Sequence, residues 1–134
     1  MPRLRLRIDF TPADTDRQLG PGKIGLLEHI AETGSISAAG RAMGMSYRRA
    51  WLLIDSLNRC FRDRVIETRH GGTQGGGAVL TPFGQWLVDE FRAIERDTAA
   101  AVAGRLAALE AATAPVEDAA PAGRPIPRVE TEGP

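Results

Sequence analysis

The chain has 134 residues with equal numbers of basic and acidic side chains, ordinary apolar content and one cysteine, Cys60. That length suits one domain plus a tail, and a single cysteine excludes an intramolecular disulfide framework and suits a reducing cytoplasm. No apolar run reaches the length of a membrane span, MPRLRLRIDF lacks the apolar stretch of a signal peptide, and Cys60, His29 and His70 have no metal-ligand spacing.

Residues 3–10 alternate, with Leu4, Leu6, Ile8 and Phe10 on one face and Arg3, Arg5, Arg7 and Asp9 on the other. This period of two predicts a half-buried strand, whose partner is either the sheet formed further along or a second subunit. A loop over 11–22 follows by composition. KIGLLEHIAETG then places Ile24, Leu27, Ile30 and Ala31 at helical spacing, with Gly34 as C-cap. Ser37 is the expected N-cap of a short helix over Ala38–Met43, closed by Gly44, and Ser46 caps a third helix from Tyr47 to about Cys60. Two helices joined by three residues including a glycine predict helix-turn-helix geometry.

On the third helix, 100° per residue brings Tyr47, Ala50, Ile54, Leu57 and Phe61 to a core face. Opposite lie Arg48, Leu52, Asp55, Ser56 and Arg59, with Arg49 on a flank and Trp51 at the boundary, expected mostly in the core. Arginines at a helix N-terminus oppose the helix dipole, so Arg48 and Arg49 are read as functional, meeting bases and phosphates. The net charge is neutral, yet Arg41 to Arg69 holds seven arginines against three acids. A local basic face counts for more than the total in contacting a polyanion.

A strand around Val65–Arg69, the glycine loop in RHGGTQGGGAVLT (69–81) and a strand at Ala78–Leu80 make a long hairpin. The loop lacks the lysine of a Walker phosphate loop and joins strands instead of opening a helix in a βαβ unit. It fits a wing: glycines allow the backbone to approach sugar and phosphate, and Arg69, His70, Thr73 and Gln74 supply donors. Thr81 then caps a helix with Pro82 at its first position. The fold class is therefore mainly α with a small β wing, a winged helix-turn-helix over residues 1–92 that includes the N-terminal strand.

The last helix is expected to run unbroken over 82–112, rising more than about 40 Å. Its aromatic first half, Phe83, Trp86 and Phe91, is assigned to the core. The alanine-rich second half leaves a narrow apolar stripe that a second subunit would cover. The candidate dimerisation residues are Phe91, Ile94, Thr98, Val102, Leu106 and Leu109. Residues 113–134 read as a Pro/Ala-rich tail with too little apolar content to fold.

LLEHIAETGSISAAGRAMGMSYRRAWLLIDSLN followed by GGTQGGGAVLTPFGQ resembles the DNA-binding domain of molybdate-responsive ModE-type transcriptional regulators, which are LysR-like. The resemblance spans about Lys23 to Phe91. It implies a dimeric winged helix on a partly palindromic double-stranded operator, with Ser46, Tyr47, Arg48, Arg49 and Trp51 facing DNA. Ser35 and Ser37 of the GSIS motif, Leu52 and Arg59 of the recognition helix, and Arg69, His70, Thr73 and Gln74 of the wing complete the candidate DNA-binding set. Family members carry β-rich oxyanion modules after this domain. Nothing β-like follows Leu80 here, so molybdate binding is not transferred, no cofactor is expected, and a separate sensor protein is a candidate partner. The expected function is a cytoplasmic, non-enzymatic, sequence-specific regulator. The alternative is a winged-helix interaction module that modulates a partner regulator without specific DNA binding.

Overall fold

A computed structural model describes residues 2–69 and 77–116. The N-terminal segment alternates as expected, with Leu4, Leu6 and Ile8 half-buried and the intervening arginines exposed. The regular ladder is much shorter than expected. β1 (Ile8–Asp9) pairs antiparallel with β2 (Gln18–Leu19), Ile8 opposite Leu19. The Ile8–Asp9 strand therefore finds its partner within its own hairpin and not in the wing sheet. Between the two strands, residues 15–17 form one 3-10 turn, capped by the Asp14 carboxylate accepting from the Asp16 amide at 2.9 Å.

α1 (Pro21–Thr33) opens on Pro21, whose missing N–H costs nothing in a first turn, and so begins inside the expected loop. It buries Ile24, Leu26, Leu27 and Ile30, and it stops at Gly34 with φ 71°, the left-handed cap that glycine adopts without a Cβ penalty. α2 (Ile36–Ala42) begins earlier than expected. Ser35, not Ser37, is the N-cap, its Oγ accepting from the Ala38 amide at 3.0 Å. Ile36 is buried, and an earlier start places it in the core. After Gly44 (φ 70°), Ser46 caps α3 (Tyr47–Cys60), accepting from the Arg49 amide at 3.0 Å.

Ala50, Ile54 and Leu57 of α3 face the core as expected. Two assignments reverse. Tyr47 is 57% exposed, and Ser56, expected to face outward, is 5% exposed. The N-terminal hairpin packs over the flank that carries Ser56, and helical periodicity alone contains no sign of that cover. Ser56 Oγ donates to the Asp16 carbonyl at 3.3 Å and accepts from Lys23 Nζ at 2.7 Å.

β3 (Ile66–Arg69) and β4 (Gly77–Leu80) pair antiparallel, with Ile66 opposite Leu80 and Arg69 opposite Gly77. Their root is tied to the helices: the Ala78 amide donates to the Gly34 carbonyl at 2.9 Å. Thr81 caps α4 (Pro82–Ala101), accepting from the Gly84 amide at 2.9 Å and donating from its own hydroxyl to the Arg64 carbonyl at 2.6 Å. The helix expected over 82–112 breaks at Val102 (φ −110°, ψ 12°), and α5 (Ala103–Ala111) continues beyond it. Phe91 is 1% exposed in the single-chain core, so it is not available to a second subunit. Trp86, assigned to the core, is 54% exposed; its ring ends a row of edge-to-face and tilted contacts running Phe10, Phe61, Phe83, Trp86. The expected tail from residue 117 onward lies outside the described residues.

Arg92 of α4 closes a two-pronged contact on Glu28 of α1 at 2.9 and 2.7 Å, and also holds Glu95 at 2.6 Å. The hydrogen bond from Arg92 lowers the Glu28 pKa from its ordinary 4.5, against burial, which raises it. A carboxyl with a depressed folded pKa stabilises the fold above its unfolded pKa, and that contribution disappears as pH falls through the folded value. Acidification below about pH 4.5 is expected to weaken the α1–α4 contact. Thermal melts of the Glu28→Gln variant should therefore be less pH-sensitive in that window than those of the parent. Parallel slopes would count against the contact.

Candidate nucleic-acid interface

The N-termini of α2 and α3 and the wing strands line one groove. The caps of α2 and α3, Ser35 and Ser46, each use a side-chain oxygen as acceptor, which leaves each hydroxyl proton free to donate. Ser37, one residue into α2, accepts from Arg41 Nη1 at 2.9 Å. Between these helix starts and the wing lies a groove of about 340 Å³, lined by Ser35, Ser37, Tyr47, Trp51, Thr68 and Arg69 among others. The Tyr47 and Trp51 rings meet edge to face at 6.3 Å. Trp51 is half-buried and packs against the core while also lining the groove, as its boundary position predicts.

Arg48 and Arg49 are exposed on the first turn of α3, and Arg69 is exposed at the end of β3. Among the described residues no carboxylate lies within ion-pair distance of any of them. Leu52 is exposed on the same helix, one turn on. Arg59 is further along and differently placed: its Nε and Nη2 both reach Asp16 Oδ2 at 3.1 Å, so the N-terminal hairpin partly neutralises it. The same hydrogen bond is the main reason the Asp16 pKa is lowered and that of Arg59 raised. His70, Thr73 and Gln74 lie outside the described residues.

Of the candidate DNA-binding residues, the groove gathers Ser35, Ser37, Tyr47, Trp51 and Arg69; Arg49, Leu52 and Arg59 instead line a second cleft, beside the hairpin. Thr68 and Arg41 were not selected from the sequence. Thr68 is found only once the register of the wing is known, whereas Arg41 sits four residues after Ser37 and was findable as an i,i+4 pair. The surface has the chemistry of a polyanion contact: arginines at the start of α3 and the end of β3 without ionic partners among the described residues, hydroxyl donors and two flat rings. Among the described residues there is no cluster of metal-ligating side chains, and no helix is long and apolar enough to cross a membrane.

Residues 22–85 match the family model of the bacterial regulatory helix-turn-helix protein, lysR family. The chain is 42% identical over 85 residues to the molybdenum-pterin-binding protein MopB of Rhodobacter capsulatus, covering 63% of this chain and 32% of that protein. It is 46% identical over 68 residues to the DNA-binding transcriptional dual regulator ModE of Escherichia coli K12, covering 51% and 26%. To the molybdenum transport protein ModE of Azotobacter vinelandii it is 38% identical over 82 residues, covering 61% and 30%. The chain thus spans about a third or less of the length of these relatives.

Proposed function

We propose that the chain, whose residues 22–85 match the LysR-type helix-turn-helix family model, is a sequence-specific DNA-binding transcriptional regulator that acts as a homodimer without catalysing a reaction. α3 is the recognition helix. Arg48 and Arg49 meet base edges and phosphates in the major groove, Ser35, Ser37 and Ser46 donate to phosphates, and the wing approaches the neighbouring backbone through Arg69. The observation that carries this reading is the set of exposed arginines at the start of α3 and on the wing, without ionic partners among the described residues. Positive charge at a helix N-terminus is unfavourable for the helix itself, and a polyanion compensates it.

The dimer surface proposed is the second half of α4 with α5. Ile94 and Leu109 are exposed, Thr98, Val102 and Leu106 are half-buried, and no residue of α5 is buried. Paired subunits would set recognition helices about 34 Å apart, or a multiple of that, on a partly palindromic operator. The partner in this reading is double-stranded DNA in the cytoplasm, with any signal delivered by a separate sensor protein.

Fluorescence anisotropy on a duplex from the chain's own upstream region, beside a scrambled duplex, tests the proposal. The expected result is a preference of about 10³-fold or more for the native duplex, with affinity falling steeply as salt rises through counterion release. Weak binding with a shallow salt slope on both duplexes would replace this reading with the interaction-module alternative.

A further inference from the structure

We propose that Lys23, Arg49 and Arg59 form a phosphate-class oxyanion site in the cleft between the N-terminal hairpin and the flank of α3, separate from the groove beside the wing. The cleft holds about 360 Å³ and is lined by Asp16, Gln18, Lys23, Arg49, Ser56 and Arg59, with Leu52 and Leu53 as its apolar wall. Arg49, Leu52, Ser56 and Arg59 follow one another at spacings of three and four, so a single stripe of α3 supplies one side. The hairpin and the first turn of α1 supply the other.

Charge within the cleft is unbalanced. Asp16 is its one carboxylate, and Arg59 engages it through two nitrogens on the same oxygen. Lys23 Nζ donates to two neutral acceptors, the Gln18 carbonyl at 2.9 Å and Ser56 Oγ at 2.7 Å. An ammonium has three donors, and the third has no acceptor among the described residues. Burial lowers the Lys23 pKa from its ordinary value, and repulsion from Arg59 and Arg49 adds to that, while Asp16 and Cys60 act in the opposite sense. A half-buried cation in a cleft with an arginine that has no ionic partner among the described residues is an arrangement that an anion stabilises.

A tetrahedral oxyanion suits the donor set better than a planar carboxylate does. An ammonium on α1 and two guanidinium groups on α3 line the cleft from its two sides, so a ligand with oxygens pointing in several directions can meet all of them. Two sources share this chemistry: a backbone phosphodiester of DNA docked on α3, or free inorganic oxyanion. Arg49 lies on the first turn of α3 and at the edge of the cleft at once, so the site is continuous with the proposed DNA surface. The DNA source rests on the regulator reading; the free-ion source does not.

Two measurements on the full chain decide the matter. Backbone-amide NMR is followed during titration with inorganic phosphate at constant ionic strength against chloride, for the parent and for Lys23→Met, which keeps the apolar stem. Saturating shifts confined to residues 16–23 and 49–59, absent in Lys23→Met, establish binding of the free ion. In the second measurement, the slope of log affinity for DNA against log salt is compared between the two proteins. A slope shallower by about one in Lys23→Met, with the native-to-scrambled preference unchanged, establishes a phosphodiester contact. If phosphate moves no cleft amide, or moves them equally in both proteins, and the two slopes coincide, the site does not exist. Loss of the regulator reading looks different, as equal binding of native and scrambled duplexes by the parent itself. Lys23→Gln, whose amide can still donate toward the Gln18 carbonyl and Ser56 Oγ, repeats both measurements should Lys23→Met fold poorly.

Discussion

Gly84→Ala lowers the thermal midpoint by about 10–20 °C, an expected loss of roughly 2–3 kcal/mol for a domain of this size. Local propensity points the other way, since alanine inside a helix gains up to about 1 kcal/mol over glycine. The tertiary contact outweighs it. A Cβ at Gly84 would fall onto the backbone carbonyl of Val65, which is backbone and not the yielding tip of a side chain. That carbonyl already accepts from the Thr81 amide at 3.0 Å, and Val65 is fully buried. Relief therefore requires α4 to back away from the root of the wing, loosening the Thr81 cap with it. Gly104→Ala in α5 is the control, because nothing lies within 4 Å of its added Cβ. It should be neutral or stabilising by up to about 1 kcal/mol. Melts in which both variants match the parent would refute the close approach.

Arg48→Ala has the largest expected effect on binding. Arg48 is exposed on the first turn of α3, without an ionic partner among the described residues, beside the Ser46 cap that fixes where the helix begins. If its guanidinium reads a base edge, the variant should bind the native duplex about 10- to 100-fold more weakly and lose preference at one position of the operator. If it meets only phosphate, affinity should fall equally on native and scrambled duplexes and the salt slope should become shallower by about one. Unchanged affinity and unchanged slope together would remove Arg48 from the recognition surface. Circular dichroism of the variant should match the parent, since removing a cation from a helix N-terminus favours the helix slightly.

Most of the helical framework was legible because its signals are local. Ser46, Gly34, Gly44 and the Thr81–Pro82 pair mark boundaries through the φ angle or the donor each position needs. The start of α2 was misplaced by two residues because Ser35 and Ser37 are equally good caps in isolation; the burial of Ile36 decides between them. Ser56 and Tyr47 exchanged sides for a related reason. A helical wheel reports one apolar stripe, and it contains no information about a hairpin from 40 residues earlier covering the flank that carries Ser56. The cleft beside Lys23 was invisible for the same cause, since Lys23 and Ser56 stand 33 positions apart. The break at Val102 precedes Gly104, a poor helix former, but the apolar spacing runs on past it without a change of period. Arg48, Arg49 and the wing arginine could be singled out as candidates because charge at a helix start and a glycine-rich hairpin are readable without tertiary knowledge.

The hydrogen bond from the Ala78 amide to the Gly34 carbonyl has a mechanical consequence. One peptide unit both turns the chain from α1 toward α2 and anchors the base of the wing, so the two move as a single lever. Rotating that unit would tilt the start of α2 and swing β4 together, changing the aperture beside Tyr47 and Trp51 without altering either ring. The opening of this face and the pitch of its two short helices are then one degree of freedom instead of two.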